Sequence, residues 1–243
     1  MKLSHMFAAS LLVAGAPARA AEPVVQTPAM DMRCYVMARA LSALAASHPK
    51  IKQRTEAWSM FYLGRVSTGL PDSEIETLAV TETEAVETED ATDLVVHCGT
   101  FVREREAKVT RGILQGLRKE AGNAEQMPSS LAPAAEPDAH PLGKEMLCHI
   151  TTRDLALMGM PQTAQSWSIF YLGRISSQLP DAEMVDLAEA EARAFATGTF
   201  ATRDIADLLA QCGAFVNKRG QETTQAIERG KKNGAAPAAD AKK

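Results

Sequence analysis

Apolar residues recur at steps of three and four along most of this chain. In the segment after Asp90 these positions are Leu94, Cys98, Phe101, Val102, Val109, Ile113 and Leu117. Such spacing is typical of amphipathic helices. Alternating apolar and polar runs bounded by Asn-Gly or Asp-Gly turns are absent, so strands are not predicted. The pattern indicates an all-α protein.

The sequence contains two copies of one helical unit. Residues 58–78 and 167–187 are identical at 13 of 21 positions at an offset of 109, and residues 93–105 match 207–219 at an offset of 114. Repetition at a fixed period indicates a duplicated structural unit. We therefore predict a tandem repeat of two four-helix modules.

Helix-breaking and capping residues divide each module, 29–120 and 142–232, into its four helices. The first helix carries a cysteine, and the second carries the repeated aromatic segment. The third follows Leu-Pro-Asp, so Asp72 and Asp181 are its predicted N-caps. The fourth is long, and its end is rich in charge.

Three further segments lie outside the modules. Residues 1–20 have a basic start, a short apolar run and Ala18-Arg19-Ala20, which is typical of a cleavable signal peptide. We expect cleavage after Ala20 and export to the periplasm or medium, with an uncleaved amphipathic N-terminus as the alternative. No later stretch has the ~20 apolar residues of a membrane span. Residues 121–141 are predicted as an Ala/Pro-rich linker and 233–243 as a disordered tail.

The four cysteines are expected to form one disulfide within each module. Cys34 and Cys98 are 64 residues apart, and Cys148 and Cys212 have the same separation at matching positions. Disulfides persist in the oxidising compartments that an exported protein reaches. On the chain-entropy estimate, each would stabilise its module by about 4 kcal/mol.

A mixed Cys/His metal site is the competing interpretation of these cysteines. His97 precedes Cys98 and His149 follows Cys148, but neither histidine is repeated in the other module. Zinc and redox spacings such as Cys-x-x-Cys are absent. We predict no metal and no cofactor.

The repeated Trp-x-x-Phe-Tyr-Leu-Gly-Arg segment predicts a buried second helix, because it is apolar nearly all round. Aromatic residues would fill the core, and the glycine would let a neighbouring helix approach. The predicted core residues are Trp58, Phe61, Gly64, Trp167, Phe170 and Gly173.

The tyrosine and arginine of this segment are the candidate binding residues. They are Tyr62, Arg65, Tyr171 and Arg174. An arginine on an aromatic face keeps its charge and needs a partner. An internal ion pair is one solution, with Asp93, Asp207, Asp72 and Asp181 as the candidate partners. Otherwise, arginine and tyrosine would bind an anionic ligand or a partner peptide.

Charge excludes one class of partner. The chain has 26 basic and 30 acidic residues, and loss of Lys2 and Arg19 with the signal leaves a net charge of 24 − 30 = −6. This balance offers no general basis for binding nucleic acid. Residues 72–93 are acidic and 103–119 basic, as in a solvated face or in surfaces that bring the modules or a partner together.

Exported, all-helical modules of this kind resemble two groups of small periplasmic proteins. HdeA-type acid-stress chaperones have a similar size and a similar disulfide topology. Tai-type immunity proteins, which block secreted cell-wall amidases, carry a helical aromatic-x-Gly motif before a Pro-containing turn, here Tyr62-Leu63-Gly64 and Leu70-Pro71. Tandem duplication departs from both patterns.

Signatures of catalysis are missing: Gly-x-Ser-x-Gly, His-Glu-x-x-His and phosphate-binding glycine loops do not occur. The sequence therefore favours a non-catalytic protein that binds a protein partner or unfolding clients. A duplicated pair of surfaces would raise avidity, and one copy is expected to fold alone. The alternative is a small-ligand-binding or enzymatic module that uses the arginine and tyrosine.

Overall fold

Helices form nearly all of the chain described by the computed structural model, which covers residues 26–88, 90–124, 140–159, 162–197 and 202–234. The first module contains α1 (Pro28–Leu44), α2 (Pro49–Val66), α3 (Asp72–Thr88) and α4 (Ala91–Ala124). The second contains α5 (Gly143–Leu157), α6 (Gln162–Gln178), α7 (Asp181–Ala196) and α8 (Thr202–Gly234). These ranges contain no strand. The predicted all-α fold with two repeats of four helices is confirmed.

Both predicted disulfides are confirmed. Cys34 is bonded to Cys98 and Cys148 to Cys212, with Cα–Cα distances of 5.7 and 5.8 Å. Each bond joins the first helix of a module to the fourth. Because the four cysteines are buried, the bonds lie within the core.

The fourth helices extend beyond the predicted module ends. Residues 121–124 of the predicted linker continue α4, and residues 233–234 of the predicted tail continue α8. The predicted signal peptide, linker residues 125–139 and tail residues 235–243 lie outside the described residues. Among the described residues, no helix combines the length and apolar character needed to cross a membrane.

The third helices begin one residue earlier than the predicted caps imply. Pro180 occupies the N-cap of α7 and provides no side-chain cap, so Asp181 is the first helical residue. The amide of Ile75 likewise donates to the carbonyl oxygen of Pro71, which places Asp72 inside α3. The predicted capping role of the two aspartates is therefore wrong. Their carboxylates remain in the first helical turn, where the helix dipole favours them.

The two modules exchange their fourth helices. Helix α4 packs mainly against α7, and α8 packs mainly against α3. At Gly112 and Gly116, an added Cβ would lie 2.5 and 2.4 Å from the carbonyl oxygens of Val185 and Glu189. Only glycine permits backbones to come this close. Each fourth helix thus belongs to one module by its disulfide and to the other by its packing.

Opposite charges accompany this exchange. The basic end of each fourth helix meets the acidic third helix of the other module. The ion pairs of this kind are Arg105–Asp181, Lys108–Asp181, Lys119–Glu189, Arg219–Asp72, Arg229–Asp72 and Arg229–Glu76. One further pair, Arg193–Glu120, has the opposite polarity, with the arginine on α7 and the glutamate on α4. Exposed pairs contribute little stability individually. The segregated charges bring the modules together and help to specify which helices pair.

The exchange of fourth helices argues against the expectation that one copy folds alone. Val109 and Ile113 flank Gly112 on α4 and are buried in the full chain. An isolated first module would lack α7, so these side chains would lose the helix against which this part of α4 packs. The packing thus favours a pair of modules as the unit that folds.

Candidate functional site

The repeated aromatic helices cross each other at the centre of the molecule. An added Cβ at Gly64 would lie 2.2 Å from the carbonyl oxygen of Phe170, and one at Gly173 would lie 2.0 Å from that of Phe61. The helix that approaches each glycine is therefore the matching helix of the other module. Phe61 and Phe170 are fully buried beside the crossing.

Half-buried Trp58 and Trp167 cover the disulfide ends of the fourth helices. Their rings lie against Gly99 and Gly213, each of which follows a bonded cysteine. Each tryptophan thus packs α2 or α6 onto the fourth helix of the same module. All six predicted core residues lie in or against the buried cluster.

The candidate tyrosines are used inside the core. The hydroxyl of Tyr62 donates to the carbonyl oxygen of Cys98 at 2.8 Å, and that of Tyr171 donates to the carbonyl oxygen of Cys212 at 3.0 Å. Burial raises the pKa of both phenols, so each remains protonated and keeps donating. These bonds attach the second helix of each module to its disulfide.

Arg65 forms a buried ion pair and also bonds to the other module. Its Nε donates to Asp31 Oδ1 at 2.7 Å, and its Nη1 donates to the carbonyl oxygen and hydroxyl of Ser176 at 2.7 and 3.0 Å. The guanidinium lies over the ring of Phe101, 5.0 Å from its centroid. Burial raises the pKa of Asp31, and Arg65 opposes that rise.

Arg174 repeats this arrangement by pseudo-symmetry. It donates to both carboxylate oxygens of Glu145 at 2.9 and 3.0 Å and to the Ser67 hydroxyl at 3.3 Å. Its guanidinium lies 4.9 Å from the ring centroid of Phe215. All four candidate side chains therefore have partners within the chain.

Sequence reasoning chose the wrong acidic partners for these arginines. Asp93 and Asp207 do not pair with them, and Asp72 and Asp181 pair with basic residues of the fourth helices instead. The actual partners, Asp31 and Glu145, lie on the first helices, three residues before a bonded cysteine. They correspond at the offset of 114, and that repeated acidic position was the signal that could have identified them.

His149 is buried beside α6. Its Nδ1 lies 2.9 Å from the carbonyl oxygen and 3.0 Å from the hydroxyl oxygen of Ser168. Burial is the main cause that lowers the pKa of this histidine to about 4. His97, by contrast, is only partly buried, and its Nε2 lies 3.1 Å from Gln26 Oε1. Within the described ranges, no group of three or more His, Cys, Asp or Glu residues could hold a metal ion.

The buried histidine predicts acid sensitivity. Because His149 protonates more readily in the unfolded chain, its contribution is complete above pH 6.5 and is lost as the pH falls toward 4. This linkage amounts to about 3 kcal/mol. We expect His149→Asn, which keeps a donor near Ser168, to remove that loss in urea melts recorded across pH 4–7. His97→Asn, at a half-buried site, is the control and should retain it. An unchanged loss in His149→Asn would contradict the assignment.

A groove lies between the modules at one end of the crossing. Gln53 Nε2 donates to Gln165 Oε1 at 3.2 Å, and Gln162 Nε2 donates to Glu56 Oε2 at 3.3 Å, so α2 and α6 start side by side. The cavity measures about 570 Å³ and also has Pro49, Lys52 and Ala156 in its walls. We call it the polar groove.

Exposed apolar side chains lie at the ends of α1 and α5, the helices that directly precede α2 and α6. Leu44 ends α1 with 61% of its surface exposed, while Leu157 and Met158 at the end of α5 are 75% and 77% exposed. Leu44 and Met158 are matching positions at the offset of 114. We call these three residues the apolar rim. Sequence reasoning missed it because exposure at a helix end is not visible in the periodicity.

Comparisons of the chain with protein-family models, with curated proteins and with solved structures give no match.

Proposed function

We propose that this chain is a non-catalytic, exported interaction protein that binds a protein partner or unfolding clients through its helical surface. The observation that carries the proposal is the apolar rim, whose members Leu44 and Met158 are exposed at matching positions of both modules. Large apolar side chains that stay in water at a defined surface are typical of protein-interaction sites. Their duplication offers two related apolar contacts, one from each module.

The candidate ligand-binding side chains already bond to other groups of the chain, which supports binding at the surface and not at these side chains. Tyr62 and Arg65 are 0% and 8% exposed, and their polar atoms bond within the chain. An anionic ligand would have to break the Arg65–Asp31 pair and leave a buried carboxylate without its partner, which is costly. The small-ligand alternative therefore requires a rearrangement of the core, whereas protein binding at the apolar rim requires none.

The two disulfides are compatible with export of the protein. The two disulfides are stable in an oxidising compartment, and the cytosol would keep the cysteines reduced. The signal-like sequence at residues 1–20 points the same way. We propose a periplasmic or secreted protein that acts after signal cleavage and oxidation.

Replacing the apolar rim with amides tests the proposal. The triple variant Leu44→Gln, Leu157→Gln, Met158→Gln should no longer suppress the aggregation of chemically denatured malate dehydrogenase diluted into buffer, as measured by light scattering. Its melting temperature should stay within about 3 °C, because the three side chains contribute little burial. Val96→Gln is the matched control, since Val96 is also 61% exposed but lies on α4. Full suppression by the triple variant would overturn the role of the rim.

Affinity capture distinguishes a dedicated partner from a range of clients. The mature, oxidised chain and the triple rim variant would be used side by side on periplasmic extract, with mass spectrometry as the readout. One stoichiometric protein lost with the rim would identify a partner-binding or inhibitor role. Many weakly held proteins lost together would identify a chaperone-like role. Identical captures by both chains would contradict binding at the rim.

A further inference from the structure

A second cleft lies between α8 and the crossing helices, and neither the apolar rim nor the buried ion pairs line it. It measures about 340 Å³ and has an apolar floor formed by Met60, Leu63, Trp167 and Val216. None of the ten residues that line it carries a charge. A surface that combines an apolar floor with uncharged polar walls accepts a neutral ligand and disfavours an ionic one.

Three amide side chains form one wall of this cleft. Asn217, Gln221 and Gln225 occur at steps of four on α8, so they share one helical face, and all three are exposed. Within the part of the chain that the structure describes, they have no hydrogen-bond partner. Each amide can donate and accept at once. We call this set the amide row.

The spacing of the amide row matches an extended polypeptide. A step of four residues advances about 6 Å along a helix. Backbone groups that face the same way in an extended strand repeat about every 6.6–6.8 Å. Successive amides can therefore pair with the N–H and C=O groups of alternate peptide residues. The side chains of the intervening peptide residues would then point toward the apolar floor.

The other module does not repeat this surface. At the positions that match Asn217, Gly220 and Gln225, α4 carries Arg103, Glu106 and Arg111. At Gly220, an added Cβ would lie 3.7 Å from Leu63 Cδ2 in the floor of the cleft. One copy thus presents long charged side chains where the other presents amides and a glycine. Among the described residues, the row of three uncharged amides therefore occurs on α8 and not at the matching positions of α4.

From this we propose that the cleft binds an uncharged, extended polypeptide segment, with the amide row on its backbone and alternate apolar side chains against Trp167. The inference rests on the proposed function and names the class of partner that this surface would take. It does not involve the apolar rim. Recognition of this kind depends on the peptide backbone and on apolar side chains at alternate positions, so many peptide sequences would bind.

The probe is a fluorescent octapeptide of alternating leucine and serine, capped at both ends and followed by anisotropy with the full, oxidised chain. We expect saturable binding. A peptide of the same sequence with every second backbone nitrogen methylated loses half of its donors and should bind at least about 10-fold more weakly. Replacing alternate leucines with lysine and glutamate should also abolish binding.

The matched variants separate the amide row from the rest of the surface. Asn217→Ala, Gln221→Ala and Gln225→Ala should each weaken binding about 3- to 10-fold, and the triple variant at least about 30-fold. Alanine is a good helix former, so the melting temperature should not fall. Gln115→Ala, at an exposed amide of α4, should leave binding unchanged. Gly220→Glu, which introduces the residue of the first module, should block the cleft.

Three results would overturn the inference. One is equal binding by the methylated peptide, which would exclude backbone recognition. Another is saturable binding of chitotetraose in place of the peptide, which would assign the cleft to a glycan. The third is absence of peptide binding. If client suppression by the apolar rim persists in that case, only the cleft assignment fails; if suppression is also absent, the proposed function fails with it.

Discussion

Replacing Gly64 with valine is expected to destabilise the fold by more than about 3 kcal/mol. The new Cβ would lie 2.2 Å from the carbonyl oxygen of Phe170, a backbone atom that no rotamer change can move. Overpacking of a core commonly costs about 1–3 kcal/mol, and here α2 and α6 must also separate. Their separation would lengthen the bonds from Arg65 to Ser176. Chemical denaturation of the oxidised protein provides the measurement.

Two further variants make this expectation specific. Gly173→Val should cost about as much, and the double variant should cost less than the sum, because the first substitution already separates the helices. Gly122→Ala is the control, since nothing lies within 4 Å of the added atom. It should be neutral or stabilising by up to about 1 kcal/mol. Additive costs at Gly64 and Gly173 would show that the two glycines do not share one crossing.

Replacing Arg65 with methionine is expected to cost about 3–5 kcal/mol. Removal of the guanidinium leaves the Asp31 carboxylate buried without its ionic partner, while Ser176 loses two hydrogen bonds from the other module. The deficit should shrink in acid. Burial raises the pKa of Asp31, so the folded variant takes up a proton before the unfolded chain does.

A double replacement isolates the pair from its surroundings. Arg65→Met with Asp31→Leu removes both charges and should recover most of the lost stability, as is common when a buried ion pair becomes apolar. Arg174→Met is the weaker counterpart, because Glu145 is 19% exposed against 5% for Asp31. A melting temperature that Arg65→Met leaves unchanged would instead support the ligand-binding interpretation of this arginine.

Different parts of the structure were predictable for different physical reasons. The disulfide pairing followed from the repeat, because bonds within a module give both copies the same link between matching helices, whereas bonds between modules would tie one copy to the other. A close approach at Gly64 followed from a glycine in an aromatic helix. The identity of the approaching helix did not, since Phe170 lies more than 100 positions away and local periodicity carries no information on such pairings.

The sites divide in the same way. Arg65 was correctly expected to need a partner, but Asp31 was overlooked because the more obvious acids lie near the third and fourth helices. The amide row could have been found by comparing the copies, where Arg103 aligns with Asn217. The sequence does not show which residues lie beside the amide row. The tertiary packing places Met60 and Trp167 there, and with them the apolar floor of the cleft.

Exchange of the fourth helices has a consequence for biogenesis. Because the chain is synthesised from its N-terminus, α4, which ends at Ala124, is complete before α7, its main packing partner, begins at Asp181. Until then, Val109 and Ile113 have no core to enter, although the Cys34–Cys98 bond can already form. Contacts between segments so distant in sequence slow folding. The nascent first half therefore passes through an interval in which the apolar face of α4 is exposed.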